Sequence, residues 1–281
     1  MTSPHFRRSL RVVFGFVAMA LVACASTPAS AIDMASHRAI YGMKLHAAHS
    51  GSGITGARGR MVYSFRGACE GWSSETSVKL QLLYSEGDQV DTEWAFASWE
   101  ARDGKSYQFS TRQVRNGQLV ESLKGSVERK APGDAAEAKF TDPEDKEIEL
   151  PKGTLFPTEH LADLLKAGAA GRKIYSRVVF DGASLENPHR INAVVSQRSP
   201  LSEGQAAPLE KAIKAGGLKD APIQHYRMAF FGLRSVKEQP DFELGVDYRP
   251  DGVSRFIRQD FGDFVVDLTL EKIELFKNSG C

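Results

Sequence analysis

The stretch that decides the fold is Phe264-Val265-Val266-Asp267-Leu268-Thr269-Leu270-Glu271-Lys272-Ile273-Glu274-Leu275. Phe264, Val266, Leu268 and Leu270 alternate with other residues, which is the period-2 pattern of a strand with one buried face. After Leu270 the phase slips. Ile273 and Leu275 take odd positions, so a bulge is expected near Lys272.

The same alternation recurs elsewhere. Ala39, Tyr41, Met43 and Leu45 form one face, and Val78, Leu80, Leu82 and Tyr84 another. Asp103-Gly104, Asn116-Gly117 and Asp251-Gly252 suit tight hairpin turns, and Gly87-Asp88 is a fourth candidate. The strand-turn-strand rhythm covers 36–141 and resumes over 173–198 and 222–276. It predicts a dozen or more strands in an antiparallel barrel or wrapped sheet.

Two short helices interrupt the rhythm. Thr158 is the expected N-cap of the first, with Pro157 before it and Glu159 in its first turn. Leu161, Leu164 and Leu165 give it an i, i+3, i+4 face, and Gly168 or Gly171 can end it. A second, shorter helix is expected over Pro208–Ala215, inside a Ser/Gly/Ala/Pro-rich connector at 199–222. The acidic stretch 142–149 reads as a solvated turn.

The N-terminus carries an export signal. Arg7, Arg8 and Arg11 form a basic region ahead of an apolar run from Val12 to Ala23. That run is too short to span a bilayer, which takes about 20 residues. Two processing signals follow. Leu21-Val22-Ala23-Cys24 matches a lipobox that would lipidate Cys24, and Ala29-Ser30-Ala31 matches an A-x-A cleavage site. Cleavage after Ala31 is favoured, since that site is intact and Pro28 stands just before it. This makes 1–31 a signal peptide and 32–281 one domain. The alternative is a lipid anchor at Cys24 on the outer membrane, facing the periplasm.

Removing three arginines from the 36 Lys and Arg leaves 33, against 35 Asp and Glu. This near-neutral balance, with no basic stripe, argues against a nucleic-acid partner. Cys69 and Cys281 are the cysteines left after export. An even count in an oxidising compartment favours one disulfide over two free thiols. Such a bond would close a loop of about 210 residues, worth roughly 5 kcal/mol in the chain-entropy model. There is no C-x-x-C, so the role would be structural.

Motifs for chemistry are sparse. Gly51-Ser52-Gly53-Ile54-Thr55-Gly56 satisfies G-x-G-x-x-G, but a strand rather than a helix follows, so it reads as a hairpin loop. His37, His46 and His49 lack a metal-ligand pattern and read as surface residues. His160, in the first turn of the expected helix, reads as a polar or interface residue. No G-x-S-x-G elbow and no marked acid–base carboxylate pair appear. No cofactor or metal is expected. A transmembrane barrel is disfavoured, because the strands carry too much charge on their polar faces. Trp72, Trp94, Phe96 and Trp99 cluster, with Trp94 and Phe96 on one face and Trp99 on the other. They read as core, or as the lining of an apolar groove for an acyl chain.

Several segments carry a resemblance. They are His37-Arg38-Ala39-Ile40-Tyr41, Ala57-Arg58-Gly59-Arg60-Met61-Val62-Tyr63, Gly67-Ala68-Cys69-Glu70-Gly71-Trp72 and Leu155-Phe156-Pro157-Thr158-Glu159-His160. Val179-Phe180-Asp181-Gly182, Asp260-Phe261-Gly262-Asp263-Phe264 and the terminal cysteine complete the set. In this order they resemble the cell-envelope integrity protein EipB family of alphaproteobacteria, over nearly the whole mature chain. The resemblance implies a soluble periplasmic protein with a long, spiral-like sheet and a Cys69–Cys281 disulfide. It implies a non-catalytic role in envelope integrity under stress, with a periplasmic tetratricopeptide-repeat protein as partner. The family fold is similar to lipoprotein carriers of the LolA and LolB type, so a carrier of a lipid or lipoprotein acyl chain is the second reading. An exported hydrolase, with its site assembled from distant residues, is the third. The stretch from His189 to Ser199 fits the family pattern loosely, and the lipobox is not a family feature.

Overall fold

Strand β14 (Phe264–Leu275) runs antiparallel to β1 (His37–Ala48), pairing Met43 with Leu268 and Tyr41 with Leu270. The register then shifts, so that Ile40 meets Lys272 and Ala39 meets Ile273. Glu271 is the extra residue. The bulge thus falls one position before Lys272, and it returns Ile273 to the buried face. Leu275 does not follow, and is 43% exposed. Glu271 folds its carboxylate over Gly42, where a Cβ would collide with it.

The computed structural model describes residues 34–196 and 200–277. The chain runs β1, β2 (Ile54–Gly67), β3 (Gly71–Tyr84), β4 (Gln89–Ala101), β5 (Ser106–Arg115), β6 (Gln118–Glu128), β7 (Ala136–Asp142) and β8 (Glu147–Leu150). Helix α1 (Pro157–Ala169), β9 (Ile174–Val179), β10 (His189–Ser196), α2 (Glu203–Ala215), β11 (Gln224–Gly232), β12 (Phe242–Tyr248), β13 (Ser254–Asp260) and β14 follow. The described strands form a single antiparallel sheet in the order β8-β7-β6-β5-β4-β3-β2-β1-β14-β13-β12-β11-β10-β9. Every neighbour is also a sequence neighbour, except β1 and β14. The sheet is unclosed, and β8 and β9 are its edges.

The expected turns are where the hairpins need them. Asn116 and Gly117 have φ of 50° and 78° in a two-residue loop, the pattern of a type I′ turn. Gly87, Gly104 and Gly252 also have positive φ. Of the acidic stretch, only 143–146 is turn. Glu147–Leu150 forms an edge strand that buries Ile148 and Leu150.

Both helices correct the sequence expectation. Phe156, not Thr158, is the N-cap of α1, and Pro157 takes the first helical position. At the other end Gly171 (φ 77°) donates to Gly168 O and Arg172 to Ala167 O, a Schellman close. Helix α2 begins at Glu203 and runs through Pro208, taking in half of the expected connector. Gln205 Oε1 accepts from the Ser202 N–H at 3.2 Å and its Nε2 donates to Asp267 at 2.8 Å. Leu209 and Ala212 are buried in the core cluster that contains Leu268, Leu270 and Ile273. Burial of this face outweighs the one helical hydrogen bond that proline forfeits. Val265, Val266, Asp267 and Leu268 are buried in succession, because α2 packs against β14.

The core falls into three clusters. One lines the β1–β14 seam, with Tyr41 donating to Ser254 O at 2.8 Å. One lies under α1, around Tyr226, Met228 and Ile191. The third gathers Tyr107, Phe109, Phe140, Phe156 and Phe180. Leu270→Ala, at the seam, is expected to cost about 2–5 kcal/mol in urea unfolding, whereas Leu275→Ala should stay within about 0.5 kcal/mol.

Candidate functional site

The densest buried polar group sits where α1 meets the N-terminal half of the sheet. Glu100, at the end of β4, accepts the Thr158 N–H at 2.8 Å and the Glu159 N–H at 3.0 Å. It therefore caps α1 from across the molecule, satisfying donors that the helix's own N-cap residue, Phe156, cannot. Arg129, whose side chain is almost fully buried, completes the knot. It donates to Gly104 O, to Thr154 O at 2.7 Å and to Glu159 Oε2 at 3.1 Å, and lies over the Phe156 ring at 4.1 Å. Phe156 stacks on Tyr107 at 4.9 Å, and Tyr107 donates to Asp181 O at 2.9 Å. Burial is the main force on Glu100, pushing its carboxyl up to about 7 despite the N–H donors. His160, one turn into the helix, is buried against Tyr175, and burial pushes it down to about 4. These groups hold the fold. Nothing in the sequence marked Glu100 or Arg129, since their partners lie 25 to 59 positions away.

A second constellation involves the turn at 68–70. Arg102 Nε donates to Ala68 O at 2.7 Å, its N–H donates to Glu70 O, and its guanidinium lies 4.8 Å over Trp72. Cys69 sits in this turn and is disulfide-bonded. Cys24, Ala29, Ala31 and Cys281 lie outside the described residues.

The four aromatic residues do not share one surface. Trp94 and Phe96 stack at 5.7 Å on the core-facing side of β4, half-buried. Trp72, opposite Glu100 in the register, faces the same way but is far along the strand and covered by Arg102. Trp99 is on the other face, its ring against Gly71. The histidines also divide. His46 and His49 are partly or fully exposed, whereas His37 is buried beside Tyr63, contrary to the surface expectation. Its Nδ1 lies 2.7 Å from Ala35 O, and burial lowers its basicity.

A Ser-His-Asp row does occur. Ser196, His225 and Asp247 are register partners across β10, β11 and β12. Asp247 is buried and lies 2.8 Å from His225 Nδ1. The imidazole lies along β12, however. Its Cε1 and Nε2 edge covers Gly245, where a methyl would sit 3.3 and 3.6 Å away. Among the described residues no hydrogen bond joins the ring to Ser196, so the row is not assembled as a nucleophile and base. Ser196, His225 and Asp247 all border an open cavity of about 770 Å³ beside α2, with Leu201, Leu209 and Arg255. Among the described residues no group of three or more His, Cys, Asp or Glu is placed to hold a metal.

The family model described as EipB-like matches residues 28–277. The chain belongs to the EipB-like family. It is 30% identical to the cell envelope integrity protein EipB of Brucella abortus (strain 2308) over 263 residues, covering 92% of this chain and 91% of that protein. It is also similar to a solved structure, a beta-barrel-like protein with a domain of unknown function from Brucella abortus. The TM-score is 0.78 at 26% identity, over 88% of this chain and 100% of the other. The sheet of this EipB-like chain is thus similar in architecture to that beta-barrel-like protein.

The buried knot gives this EipB-like chain a legible pH dependence. For Glu100 the folded value is raised from 4.5, so its stabilisation is full below pH 4.5 and lost as pH rises through about 7. For His160 the folded value is lowered from 6.5, so its stabilisation is full above pH 6.5 and lost as pH falls through about 4. His160→Leu is expected to gain about 2 kcal/mol more, relative to the parent, at pH 4.5 than at pH 7.5 in urea titrations. Glu100→Ala should cost about 1–3 kcal/mol, more at pH 5 than at pH 8, because it strands two helical N–H groups.

Proposed function

We propose that this protein is a non-catalytic factor that maintains the cell envelope, exported to the periplasm, where it acts by binding a polypeptide partner. The similarity to the Brucella envelope integrity protein across nine-tenths of both chains carries the envelope role. The binding mode is supported by the shape of the sheet, which has two separate edge strands and cavities that open to solvent. A tetratricopeptide-repeat protein is the partner that the family resemblance suggests. Export follows from the N-terminal signal, with cleavage after Ala31 and a soluble product. A lipid anchor at Cys24 is the alternative, and an intact mass starting at Ile32 or at an acylated Cys24 separates the two.

The stapling disulfide of this reading joins Cys69 to Cys281. Among the described residues, the segment before the Cys69 turn lies beside Phe276. Ser36 accepts the Phe276 N–H at its carbonyl (2.8 Å) and the Gly67 N–H at its Oγ (2.9 Å). Arg66 lies 3.7 Å over the Phe276 ring.

A second reading is a carrier for a lipid or a lipoprotein acyl chain. The half-buried Trp94–Phe96 stack, on the core-facing side of β4, favours it. The discriminating experiment is affinity capture of the mature protein from a crosslinked envelope fraction, with solvent extraction of the same preparation. One stoichiometric protein partner and no lipid supports the first reading. Co-purifying lipid without a partner supports the second. Cys69→Ser is expected to lower the melting temperature by roughly 5–15 °C. Equal melting, with the parent shown to be oxidised, would remove the staple from the account.

A further inference from the structure

We infer that the free edge of β9 takes up an extended acidic segment of a partner polypeptide as an added strand. This rests on the reading that the protein acts by holding a polypeptide. The two edges of the sheet differ. Strand β8 is four residues long, buries Ile148 and Leu150, and presents Glu147 and Glu149 to solvent, a protected edge. Strand β9 instead leaves Ile174 73% exposed, beside its register partner Val194 at 46%. This is a contiguous β-branched pair at an open edge.

The chain itself shows that the edge can accept a strand. Leu155 forms a parallel bridge there, donating to Val178 O at 2.9 Å and accepting the Phe180 N–H at 3.0 Å. Val178 and Phe180 therefore turn their ladder groups outward. By the two-residue period, Ile174 and Ser176 do the same. Residues 174–177 are left uncovered by Leu155. Arg177 lies across this edge, its Nη1 donating to Ser176 O at 2.9 Å and its guanidinium 4.7 Å over the Tyr175 ring. An incoming strand that needs this carbonyl must offer Arg177 another acceptor.

Charge selects the occupant. Arg172, Lys173 and Arg177 surround Ile174, with Arg190 on the neighbouring β10. None makes an ion pair with a carboxylate among the described residues. The nearby acids, Asp163 and Glu159, belong to α1 and act on Tyr175. A second copy presenting the same edge would meet like charge, whereas an acidic strand with apolar alternate residues would meet both cations and Ile174.

The test uses the mature chain and two synthetic hexapeptides, one alternating Glu and Val, the other Lys and Val. The Glu/Val peptide is expected to bind and to slow amide hydrogen exchange at 174–177, and the Lys/Val peptide to do neither. Ser176→Pro removes an outward N–H that β10 does not use, so melting should hold while affinity falls at least tenfold. Arg172→Glu with Lys173→Glu should reverse the preference between peptides. Unchanged binding by Ser176→Pro, or no protection at 174–177, overturns the inference. So does concentration-dependent self-association abolished by Ser176→Pro, which would make a second copy the occupant. Capture of the same envelope partner by parent and Ser176→Pro overturns the edge and leaves the partner-binding reading standing. Capture of none by either, with peptide binding intact, counts against the partner-binding reading alone.

Discussion

The pairing of β1 with β14 is the constraint on which the rest of the structure depends. Every other strand pair joins sequence neighbours, so each half of the sheet can form as a series of local hairpins. Only the β1–β14 seam, which sets His37 against Leu275, turns two meanders into one fourteen-stranded sheet. Its register is held by the core face, where Tyr41, Met43, Leu268 and Leu270 are buried together, and it is adjusted twice, at Glu271 on β14 and at His46 on β1. A slip of one residue would carry that whole face to the wrong side.

The helices solve problems that the sheet creates. A curved sheet with open edges leaves its inner face to be covered, and α1 covers the C-terminal part through Leu164, Leu165 and Ala167. Its N-terminus is then buried against the other half, where Glu100 satisfies its first N–H groups and Arg129 ties Glu159 to the loop carbonyls. A buried carboxylate and a buried guanidinium are costly unless fully bonded. Both are bonded here, so the knot fixes the helix between the halves. Helix α2 performs the simpler task of covering β14 with Leu209 and Ala212.

An envelope role and the proposed binding function are both compatible with this scaffold. A Ser-His-Asp row exists in the register, yet the imidazole is held by Asp247 along β12 and, among the described residues, makes no hydrogen bond to Ser196. What the fold offers outward is backbone at β9, exposed apolar surface at Ile174 and Val194, and nearby cations that pair with no carboxylate among the described residues. Those are the materials of recognition.

Alternation and turn chemistry are local, so the sequence by itself determined the antiparallel strands, the hairpin turns at Asn116-Gly117 and Asp251-Gly252, the helix around Leu161–Leu165 and the bulge near Lys272. Each rests on residues a few positions apart, whose spacing alone separates one face from another. Only the tertiary structure decided which strands close the seam, why Pro208 lies within a helix, that Glu100 rather than Thr158 caps α1, and that His37 is buried. Those outcomes depend on groups distant in sequence that meet only after folding. There the burial of apolar surface and the need to satisfy every buried polar atom override local preference.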